Sequence, residues 1–107
     1  MLIERKLAAL ADPTRMQLLE RLAVAPQAVV SLAKGMPMSR PAISQHLKIL
    51  KEAGLVTNRA DGVRRIYEID PQGLGQVRAF LDRLWDVALL SFKAEAERVS
   101  YERKETK

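Results

Sequence analysis

The feature that most constrains the fold is a change of periodicity at Gly54. Before it, apolar residues recur every three or four positions, the spacing of a helix with one buried face. After it, Leu55 to Arg59 and Arg64 to Ile69 read as two short strands on either side of Asp61-Gly62. Asp-Gly is a hairpin signal because the tight turn joining two strands needs positive φ. A lone two-stranded hairpin is marginal in water and needs helices to pack on. The chain therefore reads as mainly α with a small β-hairpin.

The helical part divides itself. Leu2, Ile3, Leu7 and Leu10 predict a first helix over 2–10. Asp12-Pro13 starts a second, since the aspartate caps free N–H groups and a proline at the first position has no N–H to waste. Met16, Leu18, Leu19 and Leu22 give this helix its apolar side, and it should stop before Pro26. A third runs from Val29 to Gly35, with Val30, Leu32 and Ala33 apolar. After the tight Met36-Pro37-Met38 connection, Ser39 caps a fourth helix to about Ala53. Asp70-Pro71 repeats the cap-and-proline device and opens a last helix to about Glu97, with Val77, Leu81, Leu84, Trp85, Ala88 and Phe92 as its stripe. The polar end, Ser100 to Lys107, is expected to fray. The order ααααββα, with the third and fourth helices tightly joined and a basic hairpin next, is that of a winged helix-turn-helix. The helix-turn-helix spans about 29–53 and the wing about 55–69, in a single domain over 1–107.

Composition narrows the function. The 107 residues carry a net charge of +5, which favours a polyanionic partner. There is no cysteine, so disulfides, thiolate zinc sites and thiol nucleophiles are excluded. The single histidine has no cysteine or paired carboxylates near it in the sequence, so no nucleophile–base set can be assembled and an enzyme is not expected. The first residues lack a secretory pattern. No apolar run approaches the ~20 residues that span a bilayer. The reading is a cytoplasmic protein that does not engage a membrane.

On the fourth helix, Arg40, Ser44, Lys48 and Lys51 fall in one sector at ~100° per residue, with Gln45 beside them. Ala42, Ile43, Leu47, Ile49, Leu50 and Ala53 spread over the other side. Glutamine can pair bidentately with adenine and arginine with guanine in the major groove of double-stranded DNA. A solvated surface helix would carry similar residues, but the turn before it and the hairpin after it argue for the readout role. His46 falls on the inward side and reads as support. In the wing, Arg59, Arg64 and Arg65 cluster at the turn. With Asp61-Gly62 as a two-residue loop, Arg59 faces Arg64, a like-charge opposition that a DNA phosphate would relieve. From Arg40 to Arg65 the cations are Arg40, Lys48, Lys51, Arg59, Arg64 and Arg65, against Glu52 and Asp61.

Ala9-Leu10-Ala11-Asp12-Pro13-Thr14-Arg15, then Ser39 to Val56, then Arg64-Arg65-Ile66-Tyr67-Glu68-Ile69 resemble the ArsR/SmtB winged-helix repressors of bacteria. The resemblance runs in order from about Leu7 to Ile69. It implies a homodimer joined through the first and last helices, and repression relieved by an effector. Its DNA-contacting positions fall on Arg40, Ser44, Gln45 and Lys48, with Arg64 and Arg65 in the wing. It does not extend to metal sensing. The third helix lacks cysteine and the last lacks histidine, while Asp82 and Asp86 lie close to Arg78 and Arg83, the pattern of a salt-bridged surface. No metal or cofactor is expected, and the effector is unknown. Leu2, Ile3, Leu7 and Leu10, with Trp85, Leu89 and Phe92, are the expected dimer interface. A single helix-turn-helix seldom binds tightly enough alone, and a two-fold dimer reads two half-sites. The competing reading is a winged-helix architectural or protein-interaction module with weak sequence preference.

Overall fold

A computed structural model describes residues 2–105, and the side chains of 3–103. The elements are α1 (Leu2–Leu10), α2 (Pro13–Val24), β1 (Gln27–Ala28), α3 (Val29–Leu32), α4 (Arg40–Glu52), β2 (Val56–Asp61), β3 (Arg64–Ile69) and α5 (Pro71–Glu105). The chain divides into two compact units, Met1–Val77 and Arg78–Lys107. Within the first, the three strands form an antiparallel sheet in the order β1-β3-β2.

The caps are as the residue types dictate. Asp12 has extended backbone and its carboxylate accepts from the Arg15 N–H at 3.0 Å, with Pro13 opening α2. Ser39 accepts from the Ala42 N–H at 3.3 Å. Asp70 accepts from the N–H groups of Gln72 and Gly73 at 3.0 and 3.4 Å. The Arg15 N–H, with the neighbouring Arg15 and His46 charges, holds the Asp12 carboxyl below its ordinary value of 3.8. A carboxyl lowered on folding stabilises the fold above its unfolded value, and that stabilisation is lost as pH falls through the lowered one. Asp12→Ala is therefore expected to lower Tm by a few degrees at neutral pH. The gap to the parent should close in melts at acid pH, where the carboxylate is protonated in both states.

The core of the first unit is built on α4. Ile43, Leu47 and Leu50 are fully buried, as are Leu18 of α2, Leu32 of α3, and Leu55 and Val56 at the start of the wing. Val77, expected on the stripe of the last helix, joins this core instead. Ile3, Leu7 and Leu10 of α1 are half-buried against it. Leu2, expected with them at an interface, has a side chain outside the described residues.

Four local expectations need correction. First, β1 was not foreseen, because two residues carry no periodicity. It exists because β3 offers a free edge, pairing Gln27 with Tyr67 and Ala28 with Ile66. Second, α3 ends at Leu32, not Gly35. The Arg21 guanidinium donates to the carbonyls of Leu32 and Lys34 at 2.7 and 2.6 Å, holding a turn in place of another helical turn. Third, α5 continues to Glu105, beyond Glu97 and into the polar stretch expected to fray, of which Thr106 and Lys107 lie outside the described residues. Arg98 bonds both Glu95 and Glu102, pairs at i,i+3 and i,i+4 that support an exposed helix.

The fourth correction is the hairpin register. Asp61 pairs with Arg64, Ala60 with Arg65 and Arg59 with Ile66, so the loop is Gly62-Val63 and not Asp61-Gly62. Gly62 has φ +63° at the first central position, where one of the two common hairpin turns requires glycine. The expected opposition of Arg59 and Arg64 does not exist. Asp61 stands across from Arg64 and pairs with it at 3.6 Å.

Candidate nucleic-acid interface

Burying one side of α4 leaves the other in water. Arg40, Ser44, Gln45, Lys48 and Lys51 are all exposed. The charged three of these make no hydrogen bond or ion pair within the described residues, so their donors are available to a partner. The sequence grouped these side chains correctly, because a helix with Ile43, Leu47 and Leu50 inward has only one way to aim them.

The wing arginines differ from one another in a way the sequence did not show. All are exposed. Arg64 is paired with Asp61. Arg65 donates to Asn58 Oδ1 at 3.2 Å. Arg59 has no partner among the described residues. Asn58 was missed because its role depends on the register, which sets it on β2 beside the Arg65 side chain. Lys34 was also missed. It follows α3 and lines one depression with Arg40, Val30, Ala33 and Met38. A cation beside the turn of the helix-turn-helix was the available signal.

His46 is half-buried, on the inner side as expected. Its Nδ1 lies 3.4 Å from Arg15 Nη1 and 3.9 Å from the Asp12 carboxylate. The sequence had no means of joining His46 to Arg15, which lies in a different helix.

In the second unit, the side chains of α5 described from Arg78 to Arg103 are exposed apart from the half-buried Phe80 and Val99. Leu81, Leu84, Trp85, Leu89 and Phe92 lie open, Trp85 at 63% and Phe92 at 74%. Leu81, Leu84, Trp85 and Ala88 line a shallow apolar depression with Asp82. Arg78 pairs with Asp82 at 3.8 Å, as a salt-bridged surface would. Among the described residues, no group of three His, Cys, Asp or Glu side chains is placed to hold a metal ion. No helix described is long and apolar enough to cross a membrane.

The geometry agrees with what the chain is similar to. Residues 12–58 match the family model described as bacterial regulatory protein, arsR family. The HTH-type transcriptional regulator Rv2034 of Mycobacterium tuberculosis is 53% identical over 89 residues, 83% of each chain. The arsenical resistance operon repressor of Staphylococcus xylosus is 30% identical over 71% of this chain and 73% of its own. A solution structure from Mycobacterium bovis superposes with a TM-score of 0.66 at 32% identity, covering 82% of both chains. It is described as a homodimeric winged helix-turn-helix DNA-binding domain of a possible ArsR-family regulator. The exposed basic face of α4, the three-stranded wing and these relatives agree, and the chain belongs to the arsR family of bacterial regulators, DNA-binding transcription factors built on a winged helix-turn-helix.

Proposed function

We propose that this regulator is a cytoplasmic homodimeric repressor that recognises a palindromic operator in double-stranded DNA, and that it acts by binding and not by catalysis. The chain works as one winged-helix domain. Residues 29–53 supply the helix-turn-helix, 55–69 the wing, and 2–10 and 71–97 the dimerisation helices. The observation that carries the reading is the split of α4 into an apolar side, with Ile43, Leu47 and Leu50 fully buried, and an exposed side of unpartnered cations with Ser44 and Gln45. Arg40 and Gln45 suit base edges, and Ser44, Lys48 and Lys51 suit phosphates or less specific edges. Arg59, Arg64 and Arg65 grip the backbone beside the groove. The dimer contact draws on Leu2, Ile3, Leu7 and Leu10 with Trp85, Leu89 and Phe92; the homodimeric state of the Mycobacterium bovis relative supports a dimer. No metal or cofactor is assigned, nor an effector.

Footprinting of genomic fragments captured by the purified protein tests the reading. A two-fold symmetric protected site supports it. Equal capture of every fragment overturns it in favour of an architectural role.

The wing gives a second test. Arg59→Ala and Arg65→Ala should each weaken binding to specific and random duplexes alike and flatten the salt dependence by about one unit per lost phosphate contact. Arg64→Ala should do less, because its guanidinium already shares the Asp61 carboxylate. Unchanged salt slopes in all three, measured by anisotropy titration across a salt series, would remove the wing from the interface.

A further inference from the structure

One guanidinium joins three elements of the first unit. Arg15 sits in the first turn of α2. Its Nε donates to the Ala9 carbonyl at 2.7 Å and its Nη2 to the Ala8 carbonyl at 3.4 Å, both in the last turn of α1. The Ala9 carbonyl is one of the acceptors left open where the helix ends, while the Ala8 carbonyl also accepts from the Ala11 N–H at 3.2 Å. The remaining branch, Nη1, reaches His46 Nδ1 at 3.4 Å in the middle of α4. Asp12, which caps α2, holds the Arg15 N–H at 3.0 Å and lies 3.9 Å from the same imidazole nitrogen. No other charged group lies within ion-pair distance of His46 among the described residues.

The outer edge of the seam between α1 and α4 is open beside Arg15. A cavity of about 200 Å³ opens along it, lined by Arg5, Ala8, Ile49 and Glu52 among others. Arg15 lines this depression and bonds both the end of α1 and His46, so its guanidinium ties α4 to α1 at the open edge of the seam. His46 follows Gln45, and a hydrogen bond to a base edge weakens as its donor–acceptor distance stretches past the usual range of about 2.7–3.2 Å. A tilt of α4 therefore weakens it.

The geometry points to Arg15 and His46 as a positioning pair for operator recognition: Arg15, anchored on the end of α1, holds the recognition helix through the acceptor nitrogen of His46. The contact requires an unprotonated Nδ1, because a guanidinium only donates. Protonation puts a second donor against Arg15 and turns the imidazole toward Asp12, which releases α4 from α1. Specific binding through this contact is therefore expected to be weaker in acid. The inference rests on the proposed major-groove role of α4.

The test compares the full-length protein with His46→Leu, His46→Gln, Arg15→Gln and the Arg15→Gln/His46→Leu double variant. Two duplexes serve as probes: one enriched by the parent from a random pool, and one of random sequence. Affinities are read by anisotropy at about pH 8 and about pH 5.5. His46→Leu and Arg15→Gln should each lose roughly five- to tenfold on the enriched duplex at the higher pH, the worth of one hydrogen bond, and the double variant no more. His46→Gln, whose Oε1 still accepts, should keep the parent affinity. Acid should weaken the parent by a similar factor and leave both His46 variants unchanged. Binding to the random duplex should not move. Parent-like affinity in His46→Leu, equal loss in His46→Gln and His46→Leu, or equal losses on both duplexes would overturn the pairing. Should Arg15→Gln fail to fold, the His46 variants and the pH profile still decide. A parent that cannot tell the two duplexes apart fails on the sequence-specific reading itself, an outcome separate from parent discrimination that survives His46→Leu.

Discussion

Replacing Gly73 with alanine is expected to cost about 3 kcal/mol or more, while the same change at Gly75 is expected to raise stability by up to about 1 kcal/mol. Both glycines lie in the opening turns of α5, where alanine is the better helix former. They differ in what faces them. A Cβ on Gly73 would stand 1.7 Å from the Gly54 carbonyl oxygen and 2.8 Å from its carbon, with the Lys6 side chain at 3.5 Å. The nearest obstacle is backbone, which cannot rotate aside. A Cβ on Gly75 would meet nothing within 4 Å. Gly54 directly follows the C-cap of α4, so relief of the clash displaces the end of the recognition helix or the start of α5. Lys6, 5% exposed, closes the same junction and limits the space for either movement. Thermal and urea melts of the two variants check the pair. If Gly73→Ala unfolds with the parent, this backbone contact is not made in solution. A loss of stability in Gly75→Ala would mean that open space is absent there too.

The second large effect is expected at the apolar face of the last helix. Trp85→Glu combined with Leu89→Glu should convert a dimer to a monomer and lower operator affinity by about 100-fold or more. Two linked half-site contacts then become one, and the gain from effective concentration is lost. Trp85 and Leu89 are 63% and 47% exposed in the protomer, and exposed apolar surface of this kind marks interfaces. Both changes replace exposed side chains outside the core of the first unit, so that core should survive them. Light scattering at micromolar concentration reads the mass, and anisotropy on a footprinted operator reads the affinity. A double variant that keeps the dimer mass would move the interface away from this face, and α1 would be the next surface to test.

Sequence patterns with a single physical solution were legible. Asp12-Pro13, Ser39 and Asp70-Pro71 mark helix starts because capping is a contact between near neighbours. The sides of α4 follow from helical period, so Ile43, Leu47 and Leu50 went inward and Arg40, Ser44, Gln45 and Lys48 outward. His46 was placed on the inner side by the same rule. The hairpin was visible in Asp61-Gly62, but its register was not. Adjacent choices of loop differ by one residue in the turn and share the same local signal. Pairing of the whole β2–β3 ladder, with β1 on its other side, settles on Gly62-Val63.

By itself, then, the sequence determined the helix starts, the buried and exposed sides of α4, a hairpin wing and the concentration of positive charge between Arg40 and Arg65. These depend on contacts a few residues apart or on a fixed period. Only the tertiary structure decided that Arg64 faces Asp61 instead of Arg59, that Arg65 is held by Asn58, that Arg15 reaches from the end of α1 to His46, and that Gly73 lies against Gly54. Each of those depends on where separate elements pack and in what register. Distances of that kind are set by the whole core, and no local pattern of residue types encodes them.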